Sequence, residues 1–552
     1  MHKNACLLLL ASVAACGDDG RPDTGQTGTT PPATASATAT TTTDLPTSAN
    51  DATSAQTSDP TPTTTTDIKL DLGAQGTTDP TDTTTGPPVD ACKVQDDMNA
   101  IGECNKKAPP DSFEPEIQWA WTGPDGDILS VVTPLVANLT DDNGDGEIDL
   151  CDIPDIVVVA SPDIGADGHI YVLDGATGTL HFKISTPVSS LITPALGDID
   201  GDGLVEIVTS DISGLLAFGH DGALKWQSAS PWLSAFLGAV ALADVDADGD
   251  VEILAGDSLY DHNGVQLWIA PGGAPSFPST TAADLDGDGD LEIVLGHTAV
   301  HHDGSIYYTA DILPGFPQVA DLDGDPEPEI LVTNNGGLTL LEHDGTIKYE
   351  DLRPTGDPGD ELVWLRPATV QDFDGDGVAE FAVSSGNNYT TYRGDATILW
   401  QTPVSDLTGV AAGTAFDFLG DGVAEAMYAD EHTMFVFGPG GAPLLQIPRT
   451  SVTGTEYPIV ADVDNDGSAE IVVVSNEYLE EPPAPTVQVI RDKQDRWIQA
   501  RRIWNQHTYH VTNVREDGTI PQHEPPSWQR LNTFRTNAQI ENGGLCEPPI
   551  PG

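Results

Sequence analysis

The sequence predicts an all-β protein, a β-propeller of eight (alternatively seven) four-stranded blades with calcium-binding loops, preceded by a disordered tether. The first observation is an acidic nonapeptide, Asp198-Ile-Asp-Gly-Asp-Gly-Leu-Val-Glu206, of which further copies start at Asp141, Asp244, Asp284, Asp321, Asp372, Asp417 and Asp462. The last seven begin 46, 40, 37, 51, 45 and 45 residues apart. That period belongs to solenoids and propellers. The second observation is the β-rich stretch after each copy: a β-branched run such as Ile207-Val-Thr, a second strand, an Asp-Gly turn and a closing strand that often carries an aromatic. The third is that no helical periodicity lies between the copies. Closure into a ring then hides strand edges that open stacking would leave exposed.

The chain opens with one lysine and the apolar run Leu7–Val13, too short to span a bilayer, so residues 1–15 read as a cleaved signal peptide. Val13-Ala14-Ala15-Cys16 resembles a bacterial lipobox, which implies acylation of Cys16. Gly17, in place of aspartate, implies the outer membrane or cell surface. Residues 16–90 are rich in Thr, Pro, Ser and Ala and too poor in apolar side chains to repay ordering, hence a lipidated tether. Residues 91–130 form a junction with a first strand, 131–495 the propeller and 496–552 a C-terminal cap. Once Cys6 leaves with the signal and Cys16 takes lipid, Cys92, Cys104, Cys151 and Cys546 remain. An exported chain pairs such cysteines in one of three connectivities. The expected pairs are Cys92–Cys104 and Cys151–Cys546.

In the loops, carboxylates at positions 1, 3, 5 and 9, with glycine at 6 for the sharp turn, suit a hard cation that accepts many oxygens, and Ca²⁺ fits best. The candidate ligands are Asp141, Asn143, Asp145 and Asp149; Asp198, Asp200, Asp202 and Glu206; Asp244, Asp246, Asp248 and Glu252; Asp284, Asp286, Asp288 and Glu292; Asp372, Asp374, Asp376 and Glu380; and Asp462, Asp464, Asp466 and Glu470. Two copies depart from the pattern. Pro326 replaces the glycine in the loop of Asp321, Asp323, Asp325 and Glu329, and Leu419 replaces one carboxylate between Asp417 and Asp421, ahead of Glu425. The first copy adds Asp152 at position 12.

These loops resemble the FG-GAP/VCBS-type repeats of bacterial surface proteins, distant relatives of the integrin α-subunit propeller, over about residues 131–495. The resemblance implies a Ca²⁺-stabilised propeller. To close the ring, either Glu116–Trp121 or Arg496–Arg501 can supply the last blade's missing strand.

Asp and Glu number 87 against 21 Lys and Arg, a formal net charge of −66. That field repels nucleic acid and anionic headgroups and excludes nucleic-acid binding as a function. No catalytic triad, phosphate-cradling loop or dinucleotide motif stands out, so no catalytic residues are assigned. Basic and aromatic residues concentrate in 497–534. As a cap they would cover the ring; as a glycan or partner site, Arg501, Trp504, Asn505, His507, Tyr509 and Trp528 would bind. The expected function is a non-enzymatic, lipid-anchored binding or adhesion platform for a glycan or an envelope protein. An exported polysaccharide lyase, by analogy with pectin-cleaving lyases on eight-bladed Ca²⁺-binding propellers, and an envelope scaffold are the alternatives.

Overall fold

The computed structural model describes residues 92–94, 98 and 101–548, apart from 110, 233–235, 273–276, 360–361, 407 and 477–483. The signal peptide, Cys16 and the tether lie outside the described residues. Among the described residues, eight sheets built on four antiparallel strands succeed one another in chain order, the first and third each gaining one two-residue strand, Val188–Ser189 and Ile192–Thr193. The first comprises Leu135–Ala137, Asp155–Ala160, Asp167–Asp174 and Leu180–Lys183. The next six occupy 195–227, 238–269, 281–309, 315–352, 369–403 and 413–448. The eighth takes its first three strands from 459–492 and its outermost from Pro115–Trp121, which pairs antiparallel with Val487–Asp492. The ring is therefore eight-bladed and closed by 115–121. Residues 496–501 do not close it; they lead into the C-terminal segment, with Ala500 bridging Gln539.

Within each blade, burial falls from the inside outward. In the third, Gly238–Ala243 is buried throughout, whereas the outer strand Gln266–Ile269 alternates exposed and half-buried residues. This is the gradient of a radial sheet whose inner strands meet at the axis. Between several blades, an aromatic of the outer strand caps the turn of the next blade. Trp226 Nε1 donates to His262 O at 2.9 Å, Trp268 Nε1 to His302 O at 2.9 Å, and Trp119 of the closing strand to Gly175 O at 2.7 Å. The rings lie so close that a Cβ on Gly264 would stand 2.6 Å from Trp226, and one on Gly178 would stand 2.5 Å from Trp119. Both glycines also have positive φ, so the turn glycine serves the fold and the blade contact together.

Two disulfides staple the junction, and their pairing corrects the expected one: Cys92–Cys151 and Cys104–Cys546. Each end of the 92–104 stretch docks on a different partner. Leu150 N–H donates to Cys92 O at 3.1 Å, which sets Cys92 against the first blade's long loop. Gly102–Glu103 pairs in parallel with Gly544–Glu547, which brings Cys104 to Cys546. Residues 92 and 104 are thus held apart and cannot bond to each other.

Candidate metal centres

The connection from first to second strand carries the acidic loop in every blade, so all eight loops gather on one face. Their internal bonding repeats. Asp198 accepts the N–H groups of Gly201, Asp202 and Gly203 at 2.8, 3.1 and 2.9 Å, and Asp202 accepts that of Leu204 at 3.0 Å. Glu206 lies at the start of the second strand and accepts the Ile199 N–H at 3.1 Å. The same position-9 contact recurs for Glu252, Glu292, Glu329, Glu380, Glu425 and Glu470. The loops thus hold positions 1 and 9 in place and leave the second oxygen of each glutamate outside the loop's own backbone bonds. All seven of these glutamates are buried.

Burial without a bound cation raises their proton affinity. The Glu252 carboxyl is pushed up to about 8 by burial, with Asp246, Asp244 and Asp248 adding to the rise. Glu206, Glu292, Glu329 and Glu380 reach about 7, burial again being the main cause. In the eighth blade Asp462 reaches about 8, and Glu470 rises well above its ordinary range. There, Asp462 Oδ1 and Glu470 Oε1 are buried with no hydrogen-bond partner. An orphaned pair of buried carboxylate oxygens in an oxygen-rich loop is what a hard cation would satisfy, so the residues present fit Ca²⁺.

One residue that the loop motif does not include distinguishes the blades. It lies at the bulge of the outer strand and points back to the loop. In the second blade this is Lys225, with Nζ 2.8 Å from Glu206 Oε1 and a second bond to Asp200. In the fifth it is Lys348, 3.0 Å from Glu329 Oε1, 3.1 Å from Glu342 and bonded to Asp323. In the eighth it is Gln118, which donates to Asp464 at 2.7 Å. In the third, by strand register, it is Leu267. Elsewhere Arg393 reaches Asp374 at 3.1 Å, and His301 reaches Glu292 at 2.9 Å.

The two departing loops differ from each other in their bonding. Pro326 has no N–H to give to Asp321, whose carboxylate accepts from Asp323 and Gly324 at 3.2 and 2.7 Å, and Lys348 occupies this loop. With Leu419 at position 3, Asp417 still accepts from Asp421 and Gly422 at 3.1 and 2.8 Å.

The first loop needs a correction. Asp141 accepts from Gly144, Asp145 and Gly146 as expected, at 2.7, 3.1 and 2.9 Å. Asp149, however, does not take the position-9 role; it accepts the Cys151 N–H at 3.0 Å and meets Lys93 at 3.3 Å. Buried Asp152 accepts the Asp142 and Asn143 N–H groups instead, at 3.0 and 3.2 Å. The motif lies inside an insertion, and the residue in the place of Glu206 is Asp155, which accepts the Leu139 N–H at 2.8 Å.

The basic, aromatic C-terminal segment is not an open ligand site. It crosses the loop-bearing end of the ring and bonds to most of the inner strands. Trp504 N exchanges bonds with Val136, Asn505 O accepts from Leu196, Gln506 from Leu242, and Thr508 donates to Thr280 O. Phe534 bridges Val370, Arg535 O accepts from Thr414, and Asn537 donates to Val460 O. Arg501, Trp504, Asn505, His507 and Tyr509 are fully buried, and Trp528 nearly so. Trp504 stacks on Tyr509 at 4.5 Å, Arg501 donates to Val511 O at 2.7 Å, and His507 meets Ser279 at 2.8 Å. These side chains fill the channel as a central plug. A dense Arg/Trp/His cluster reads the same in sequence whether it faces solvent or a ring of carbonyls.

Residues 321–383 match the FG-GAP-like repeat family. No curated protein matches the sequence. Among solved structures, the biofilm matrix protein Bap1 of V. cholerae superposes with a TM-score of 0.67 at 22% identity, covering 79% of this chain and 100% of that one. A rhamnogalacturonan lyase of Bacillus licheniformis gives a TM-score of 0.47 at 18% identity, covering 82% and 84%.

Proposed function

We propose that this chain of FG-GAP-like repeats is a calcium-stabilised, lipid-anchored cell-surface propeller. In this reading it is a non-enzymatic platform that binds a glycan or another envelope protein. The observation that carries the proposal is the set of self-consistent carboxylate loops on one face, seven of them ending in a buried glutamate, with orphaned oxygens at Asp462 and Glu470. Ca²⁺ would be held by positions 1, 3, 5 and 9 and would supply the charge that lets these carboxylates stay ionised when buried. The lipobox-like Cys16 and the tether would hold the head away from the membrane, and a closed, plugged ring offers breadth rather than a tunnel. A biofilm matrix protein built on the same fold is in keeping with that role.

A lyase acting on acidic polysaccharide needs a basic cleft. Arg501, Arg502 and Arg535 are instead spent inside the plug. A better saccharide contact is a cavity of about 180 Å³ between the sixth and seventh loops and the C-terminal segment, where Gln371, Arg530, Asn532 and Glu547 surround Leu531 and Ala379. Polar groups over an apolar floor suit one pyranose ring. The purified, Ca²⁺-loaded protein applied to a glycan array tests this. Binding that Arg530→Ala weakens at least tenfold supports the platform reading. Time-dependent release of unsaturated sugar from any arrayed polysaccharide would replace it with the lyase.

A further inference from the structure

We propose that the first blade holds a second kind of centre, a site for a first-row divalent ion such as Zn²⁺, formed by His181, Asp142, Asp155 and Asp174. Its origin is the insertion. In the second blade the link between first and second strands runs only from Asp198 to Val205; in the first it runs from Asn138 to Pro154. The inserted stretch carries its own carboxylate loop around Asp141 and Asp152, and it presents Asp142 back toward the blade. Asp155 keeps the position-9 place, and Asp174 ends the third strand. His181 stands at the outer-strand bulge, the register position that Lys225 and Lys348 occupy in their blades.

The geometry is that of ligands around a shared small cation. His181 Nε2 lies 3.4 Å from Asp155 Oδ1, 3.7 Å from Asp142 Oδ1 and 3.8 Å from Asp174 Oδ2. The ligand atoms of Asp142, Asp174 and His181 all fall within 4.8 Å of one another. Nε2 is shielded from solvent and has no hydrogen-bond partner, although it faces three carboxylates. Ligands about 2.0–2.1 Å from a tetrahedral ion stand roughly 3.4 Å apart, and the three distances from Nε2, at 3.4, 3.7 and 3.8 Å, lie close to that spacing. An imidazole nitrogen in a four-ligand shell favours Zn²⁺ over Ca²⁺, which prefers six to eight oxygens. In the second and fifth blades a lysine supplies the positive charge itself. The first blade has a donor nitrogen there and needs the charge from a metal.

Co²⁺ added to the full-length protein in saturating Ca²⁺ reports on this directly, because four-coordinate Co²⁺ absorbs strongly in the visible. One equivalent should bind with that spectrum and be displaced by one equivalent of Zn²⁺. His181→Gln, which copies Gln118 of the eighth blade and so keeps a side chain the fold accepts, should abolish the band. Asp174→Asn should weaken binding at least tenfold. His302→Ala, which removes a half-buried histidine 3.2 Å from Asp290, should leave the band intact. A band that survives His181→Gln would overturn the proposal. So would a wild-type protein that binds no Co²⁺ in the absence of competing Zn²⁺.

Discussion

The second and third blades carry nearly the same loop and solve its electrostatics in opposite ways. Around Glu206, Lys225 brings a permanent positive charge to within 2.8 Å. Around Glu252, the matching position is Leu267, and burial drives the carboxyl up to about 8. The ligand spacing is therefore necessary for a cation centre but does not say whether the cation is the protein's own. That is decided by one residue on a strand that arrives after the motif has ended.

The widest test of this contrast is pH with and without Ca²⁺. Glu252 has a folded-state proton affinity above the ordinary carboxyl value of 4.5, so its stabilising contribution is complete below that pH and is lost as pH rises through about 8. The same sign holds for Glu292 and Glu380, near 7. In chelator, the melting temperature should fall steadily from pH 5 to pH 8.5. Ca²⁺ binds the ionised form, so saturating Ca²⁺ should remove the fall, contributing about 2.7 kcal/mol per site at a hundred times the dissociation constant. Calorimetry with ion counting checks it; a melting temperature indifferent to Ca²⁺ at pH 8 would leave the loops as plain turns.

How much of this was legible in the sequence depends on how local each feature is. The loops were readable because positions 1 to 9 make their bonds within themselves, as Asp198 does with Gly201 and Gly203. The blade repeat and Glu116–Trp121 as one of two closing strands were readable for a related reason, since strand and turn chemistry is written in short runs. The unreadable features rest on distant pairing. Lys225, Gln118 and His181 share a role only through strand register. The cysteine pairing was set by where residues 92 and 102–103 dock. Asp149 was assigned by spacing, but the insertion hands its place to Asp152 and Asp155. The C-terminal segment could be read as a cap or as a ligand site, because its partners are carbonyls from blades hundreds of residues earlier and leave no mark in its own residues.

The next effect in size comes from neutralising position 9 in each blade. Glu206→Gln leaves Lys225 with Asp200 alone in a half-buried place, so it should destabilise by about 1–3 kcal/mol whether or not Ca²⁺ is present. Glu252→Gln removes a buried carboxyl that has no basic partner. In chelator at pH 8 it should be neutral or stabilising; in Ca²⁺ it should cost about the same 1–3 kcal/mol through the lost ligand. Equal behaviour of the two variants in chelator would dissolve the distinction between the blades. Trp504→Ala, by contrast, should destabilise by about 3–5 kcal/mol under every condition, since it empties the plug rather than a loop.

The smallest effect is the most discriminating, because it exchanges the two blades' solutions without touching a ligand. Lys225→Leu gives the second blade the third blade's outer-strand residue, and Leu267→Lys does the reverse. If the ammonium and the metal compete for the same oxygens, Lys225→Leu should strengthen one Ca²⁺ site by roughly tenfold, about 1.4 kcal/mol, and make stability at pH 8 more dependent on Ca²⁺. Leu267→Lys should weaken a different site by a similar factor and flatten the pH dependence in chelator. Leu267 is half exposed at the outer rim, so the lysine can enter without repacking the core. Titration calorimetry on both variants distinguishes competition from coexistence. If Ca²⁺ affinities are unchanged in both, the lysines neutralise carboxylates that the ion does not use, and the ligand set shrinks to positions 1 and 5 with the backbone between them.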